Sequence, residues 1–369
     1  MRIGIITQPL RTNYGGLLQA YALQTVLEGA GHDVKVLDEP FRKRLPLWKI
    51  PFSLVKRSVL RFIFKRDVTI FDEYKYNRTY PVISQYITPF IQQHIHRVEV
   101  RCFTLLKAED FDALIVGSDQ VWRPVYNSDI YRSFLNFAEN WKVKRIAYAA
   151  SFGSDNWEYS SDQTMVCGRL LKLFDAVSVR EASGVELCKK HWNVDALHLL
   201  DPTMLLNVED YIKLFEEANT PKSSGNLLNY ILDYTSEKEI IIQQIANEKG
   251  LQPFRVNSKV EDRKAALQDR IQPPVEQWLR GFFDAEFVVT DSFHACVFSI
   301  LFKKQFVVLG NPRRGMARFE SLLSMFGLDD RLITSVEKLN GLKVIDFVEV
   351  DEKLNDMRRK AMQFLSSLE

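Results

Sequence analysis

The chain has 369 residues, too many for one small core, and a rough allowance of ~150 residues per domain points to two domains. Hydrophobic residues make up 46% and charged residues 26%, the balance of a folded chain, which excludes disorder throughout. Lys and Arg number 49 against 47 Asp and Glu, a formal net charge of +2, which disfavours a globally basic nucleic-acid binder. No apolar run approaches the ~20 residues of a membrane span. The opening MRIGIITQPL lacks the apolar core and cleavage site of a signal peptide. Cys102, Cys167, Cys188 and Cys296 are scattered, without CxxC or Cys/His spacing. That pattern reads as reduced thiols in a cytoplasmic protein and gives no support for a metal site.

Ile3–Thr7 reads as a strand, Asn13, Tyr14, Gly15 and Gly16 as a turn, Leu17–Glu28 as a helix and Val34–Leu37 as a second strand. Strand, helix, strand at this spacing implies a parallel sheet with a right-handed crossover. Further apolar strands are expected at Phe111–Val116, Arg145–Ala150, Ala176–Val179 and Ala196–Leu200. Each gives way to small or polar residues at its C-terminal end, where open parallel sheets bind ligands: Gly117–Asp119, Ser151–Gly153, Arg180–Glu181 and Asp201–Pro202.

After the loop-like stretch 219–226 (NTPKSSGN) the alternation restarts. Strands are expected at Leu227–Leu232, Phe254–Asn257, Glu286–Thr290 and Phe306–Leu309, with helices at Ser236–Lys249, Val275–Phe283 and Ala295–Phe302. The expected fold is α/β, with two Rossmann-like domains facing a cleft. Residues 1–205 form the first domain, 206–350 the second, and 351–369 a C-terminal helix with Leu354, Met357, Ala361, Phe364 and Leu365 near one face.

One segment breaks the alternation. Residues 41–66 hold nine cations (Arg42, Lys43, Arg44, Lys49, Lys56, Arg57, Arg61, Lys65 and Arg66), no acid, and interleaved apolar side chains. If 53–66 is helical, Arg57, Arg61 and Lys65 share one face, with Val55, Val59, Phe62 and Ile63 on another. Such an insertion, Arg42–Arg66, either touches anionic lipid or a lipid-phosphate substrate, or is a solvated basic helix packed on the sheet.

The candidates for chemistry sit at strand ends. Asp291, Ser292, Phe293 and His294 follow the strand closing at Thr290, which puts an imidazole at a helix start, with Asp291 and Ser292 either orienting it or capping the helix. Arg180 offers a planar fork to a carboxylate or phosphate, or pairs with a neighbouring acid. Asp119, Gln120 and Trp122 set a carboxylate beside an indole, which suits a sugar; the alternative is a buried Trp with a capping Asp. The Asn13–Gly16 turn lets a ligand approach the backbone and a helix N-terminus.

Six blocks in order resemble the polysaccharide pyruvyl transferase family. They are GIITxxxxxNYGGLLQAYALQ (Gly4–Gln24), DALIVGSDQVW (Asp112–Trp122), AYAASFG (Ala147–Gly153), VSVREASG (Val177–Gly184), LDPTMLL (Leu200–Leu206) and VVTDSFHACVFSILFKKQFVVLG (Val288–Gly310). The resemblance implies a GT-B-like fold. It also implies transfer of pyruvate from phosphoenolpyruvate, as donor substrate and with no cofactor or metal, onto a sugar to form a cyclic ketal. His294 then resembles the family's acid. Asn13, Tyr14, Gly15, Gly16, Asp119, Gln120, Trp122 and Ser151 become acceptor-side candidates. Some members carry an arginine two residues before the histidine, where this chain has Ser292. Arg180, Arg318, Arg313 and Arg314 are the candidate replacements for gripping the donor. The expected partner is a glycan or lipid-linked oligosaccharide of a surface polysaccharide or capsule, with no nucleic acid. The expected place is the cytoplasm, peripheral to the inner face of the membrane. Two other readings stay open: a GT-B-type glycosyltransferase using a nucleotide sugar, and a non-catalytic scaffold of polysaccharide assembly.

Overall fold

The computed structural model describes residues 1–45, 47–310, 315–333, 339 and 341–366. Arg313 and Arg314 lie outside the described residues. Two parallel sheets form. The first contains β1 (Arg2–Ile6), β2 (Asp33–Asp38), β3 (Arg97–Glu99), β4 (Ala113–Val116), β5 (Lys144–Ala150), β6 (Ala176–Val179) and β7 (Leu197–His198), in the order β3-β2-β1-β4-β5-β6-β7. The second contains β8 (Leu227–Tyr230), β9 (Pro253–Phe254), β10 (Phe287–Thr290), β11 (Gln305–Leu309) and β12 (Leu332–Ile333), in the order β12-β11-β10-β8-β9. The continuous apolar strands, such as ALIV in β4 and FVVT in β10, are buried along their whole length, as strands covered on both faces must be.

Helices α1 (Tyr14–Gly29), α2 (Lys49–Phe62), α3 (Asp72–Ile83), α4 (Ile87–His94), α5 (Ser161–Leu171) and α6 (Ala182–Trp192) accompany the first sheet. Helices α7 (Val208–Glu217), α8 (Ser236–Lys249), α9 (Val275–Asp284), α10 (Phe293–Leu301) and α11 (Ala317–Phe326) follow it. Helix α12 (Phe347–Ser366) returns to the first half, where the Arg358 guanidinium donates to the carbonyls of Met204 at 2.6 Å and Leu206 at 2.5 Å. Phe364 meets Tyr148 of β5 at 6.1 Å between ring centroids. The largest apolar cluster runs through both halves, from Leu17 and Leu23 of α1 to Trp278 and Phe298 of the second. Two α/β halves thus meet along a packed seam, in agreement with the expected fold class. No helix among the described residues is long and apolar enough to cross a membrane.

The strand order fixes where a ligand sits. It reverses at β1 and β4 in the first sheet and at β8 and β10 in the second. The crevice at such a switch point opens at the C-terminal strand ends. The two crevices face each other across the seam.

The segment between the basic insertion and β4 carries no expected element, yet it folds as α3, α4 and the edge strand β3. The basic helix itself is α2, which starts at Lys49 rather than near residue 53 and buries none of its residues. It is not packed on the sheet. It leans on α3 through a two-point pair of Arg57 with Glu73, at 2.6 Å for each contact.

Candidate functional site

The first turn of α1 begins at Asn13, whose side chain accepts from the Gly16 N–H at 3.4 Å. Gly15 lies against the second half: a Cβ there would stand 1.9 Å from His294 Nδ1. Only a residue without a side chain lets the imidazole rest on this backbone. His294 is itself in the first turn of α10, directly after the strand end at Thr290. Gln19, one turn further along α1, donates to Thr7 Oγ1 at 2.7 Å and accepts from the Ser118 N–H at 2.8 Å, tying the β1 and β4 ends together.

Asp201 is the hub beneath these elements. Its Oδ1 accepts from the backbone N–H and hydroxyl of Thr203 at 3.0 and 2.7 Å. Its Oδ2 accepts from Arg180 Nη1 at 2.6 Å and Ser118 Oγ at 3.2 Å, and stands 3.6 Å from His294 Nε2. Burial alone would raise this carboxyl, but the neighbouring imidazole, the Arg180 charge and Thr203 hold it well below the usual carboxylate range. One ionised oxygen therefore faces an arginine of the first half and a histidine of the second.

Arg180 is fully buried beside three acids. Burial opposes its charge, yet Asp201, Asp119 and Glu181 together raise its pKa above the ordinary arginine value. Its guanidinium lies 4.4 Å from the centroid of Phe293, and that of Arg318 lies 5.6 Å from the same ring. Burial, and then the like charge of Arg180, pulls Arg318 down to about 10. Arg180 Nη2 approaches Asp119 Oδ1 only to 3.6 Å. Nη2 and Nε donate no hydrogen bond among the described residues, and His294 Nε2 makes none either. These are charged or titratable donors held in a dry place with capacity to spare, the arrangement that grips a small anion.

The neighbouring strand end completes the floor. The register of β5 shifts between Ala147 and Ala150, and such a bulge re-aims the end of a strand. Ser151, just beyond, donates from its hydroxyl to Glu181, which also accepts from the Gly153 N–H at 3.3 Å. Above the floor opens a cleft of about 1770 Å³. Asn13, Asp119, Gln120 and Arg318 line its depth, Asp233 and Glu261 its second-half wall, and Arg42, Lys43 and Arg44 its rim.

The structure thus brings together Asn13, Gly15, Gly16, Asp119, Gln120, Arg180, Ser292, His294 and Arg318. It separates three expected acceptor residues from the cleft, the first being Ser151, fully buried with its hydroxyl engaged by Glu181. Trp122 is fully buried, stacked on Phe134 at 5.1 Å, with its indole N–H donating to the Ser133 carbonyl at 3.0 Å. An indole so engaged has no face for a sugar. Tyr14 is buried too; it stacks on Trp278 at 5.4 Å and donates from its hydroxyl to the Pro273 carbonyl at 2.7 Å, joining the two halves. Asp291 does not orient His294. Its carboxylate accepts from the N–H groups of Leu232 and Asp233 at 2.7 and 3.1 Å and from Lys238 Nζ at 2.6 Å. Asp201 and Ser118 are marked in the sequence only as strand-end positions, without a role, and Gln19 is not singled out at all. Among the described residues no group of three His, Cys, Asp or Glu side chains could hold a metal ion.

A sequence profile of the family "Polysaccharide pyruvyl transferase" matches residues 13–313. A search of curated proteins finds no significant match. Among solved structures, UDP-GlcNAc 2-epimerase from Neisseria meningitidis bound to UDP-GlcNAc is similar with a TM-score of 0.47 and 12% identity, over 99% of this chain and 94% of that one. Arabidopsis thaliana UGT89C1 complexed with UDP-L-rhamnose has a TM-score of 0.47 and 10% identity, over 98% and 94%.

Proposed function

We propose that the chain, which belongs to the polysaccharide pyruvyl transferase family and is thereby a transferase acting on glycans, moves the pyruvyl group of phosphoenolpyruvate onto two hydroxyls of one sugar. The observation that carries this reading is the convergence of Arg180 and His294 on the single oxygen Asp201 Oδ2. A donor with a carboxylate and a phosphate needs cations in a dry cleft. Addition to its double bond needs a proton donor beside the methylene.

In this reading Arg180 and Arg318, both beside the Phe293 ring, hold the donor's anionic groups. Arg318 takes the place of the arginine that some members carry where this chain has Ser292. Protonated His294 gives its proton to the methylene carbon, which becomes the product's methyl group. The first sugar hydroxyl attacks the adjacent carbon, and its proton restores the imidazolium. The carbon–phosphate oxygen bond then breaks, the second hydroxyl closes the ring, and its proton leaves with inorganic phosphate. Asp201, 3.6 Å from Nε2, keeps the imidazole in place. Asp119 and Gln120, at the cleft wall, are placed to accept and donate hydrogen bonds at sugar hydroxyls. A sugar of a surface polysaccharide, or of its lipid-linked precursor, is the acceptor.

The test is thermal-shift screening with phosphoenolpyruvate, UDP-sugars and free UDP, followed by product analysis with a glycoside acceptor. A binder of phosphoenolpyruvate gains stability with that compound alone, by about 2.7 kcal/mol at a hundredfold excess over Kd. Selective stabilisation by UDP or a UDP-sugar would replace this reading with a glycosyltransferase.

A further inference from the structure

Helix α2 is a surface element with its greasy side turned outward. Phe52, Phe62 and Ile63 are 72%, 71% and 70% exposed. At 100° per residue, Trp48, Phe52, Val55, Phe62 and Ile63 fall within an arc of roughly 100°. Arg57, whose pair with Glu73 fixes the inner side of the helix, lies opposite that arc. A contiguous apolar face of aromatic and branched residues is not what a solvated helix displays, and it marks a surface that something covers.

Charge says what covers it. Residues 41–66 hold nine cations and no acid. Lys43 pairs with Asp72, and Arg57 with Glu73. Arg42, Arg44, Lys49, Lys56, Arg61 and the adjacent Lys65 and Arg66 make no ion pair among the described residues, although the Arg61 charge reaches Asp67. Apolar side chains flanked by uncompensated lysine and arginine, on a helix parallel to the surface, match an anionic bilayer: the rings enter the acyl boundary and the cations meet the headgroups. Location adds a second argument. Arg42, Lys43 and Arg44, which lead into α2, form the rim of the 1770 Å³ cleft.

We infer that α2 is an interfacial anchor that seats the protein on an anionic lipid surface with the mouth of the cleft beside the headgroups. The inference deepens the proposed function, because a lipid-linked glycan would then enter along the bilayer. It is nevertheless read without any turnover, so its failure and that of the proposed reaction are separate results.

The experiment is co-sedimentation of the full chain with vesicles of phosphatidylcholine containing phosphatidylglycerol, against vesicles of phosphatidylcholine alone. The wild type should sediment with the anionic vesicles and lose binding as salt screens the cations. The triple variant Phe52→Ser, Phe62→Ser, Ile63→Ser and the double variant Lys49→Glu, Lys56→Glu should each lower the partition coefficient at least tenfold. Since α2 buries no residue, both variants should melt with the wild type. Equal sedimentation with neutral vesicles, variants that bind like the wild type, or no binding at all would overturn the inference. So would a wild-type dimer that the apolar triple variant converts to monomer, since the face would then be covered by a second copy.

Discussion

Cations stand beside aromatic rings both under the cleft and on the basic helix, and these two regions behave as opposites. On the cleft floor Arg180 lies 4.4 Å from Phe293, with its side chain 1% exposed. On α2, Lys49 lies 4.9 Å from Trp48, which is 67% exposed. The buried cation must be neutralised by particular atoms, and Asp201 and Asp119 supply them; each partner then has one admissible position. The exposed cation is neutralised by water and salt within about 10 Å at moderate ionic strength, so it counts only as part of a summed field. The floor should therefore break at single residues and the helix only at several.

The largest expected effect is at His294. His294→Asn should reduce turnover by roughly 10² to 10⁴, the range of a lost general acid, with phosphoenolpyruvate affinity within a few-fold. In deuterated water the wild type should place deuterium in the ketal methyl group; a variant with near-normal turnover would move the acid elsewhere.

Next comes Asp201→Asn, which leaves Arg180 buried without its closest countercharge. Removal of one partner of a buried pair costs about 3–5 kcal/mol, measurable by denaturant unfolding near neutral pH. The sign with pH is set by the depressed Asp201 carboxyl. Its stabilisation is complete above the ordinary carboxylate range and is lost as pH falls through that range toward its folded value. The gap between wild type and variant should thus be constant above about pH 5 and narrow in acid. A gap that widens in acid would contradict the assignment.

Arg180→Lys sharpens the comparison, because it keeps the charge and discards the planar fork. Donor binding should weaken by about 1.5–3 kcal/mol by calorimetry; unchanged affinity would remove the guanidinium from donor recognition. The smallest effect belongs to the helix. Arg57→Ala breaks a surface pair with Glu73, whose side chains are 20% and 22% exposed, and should cost about 1 kcal/mol in thermal stability. A loss as large as that at Asp201 would erase the distinction between the two regions.

Most strands were legible because a parallel sheet demands apolar runs closed by small or polar residues; β1, β4, β5, β6 and β10 fall within a residue or two of expectation. The edge strands β3 and β12 were not, since RVE and LI carry no such run. At the site, position along the chain was legible and direction was not. Arg180 and His294 announced themselves by type and place. Trp122 and Tyr14 occupy equally suggestive places, yet their rings turn into the core, a choice made by Phe134 and Trp278 from distant segments. Asp201 stands in the sequence as one strand-end residue among several, with nothing to mark it as the hub. Its role depends on an imidazole 93 residues away, which only the seam between the halves brings near.

Helix α12 has a consequence for how the protein is made. During synthesis the first sheet can close as soon as β7 emerges, since all seven of its strands precede Leu199. The carbonyls of Met204 and Leu206, in the connection between the halves, must wait for Arg358, 154 and 152 residues later. Until then the second half hangs on a connection whose path is not yet clamped. The nascent chain consequently carries a finished first half beside an unfastened second one, and the His294 imidazole is brought to rest on Gly15 only late in translation.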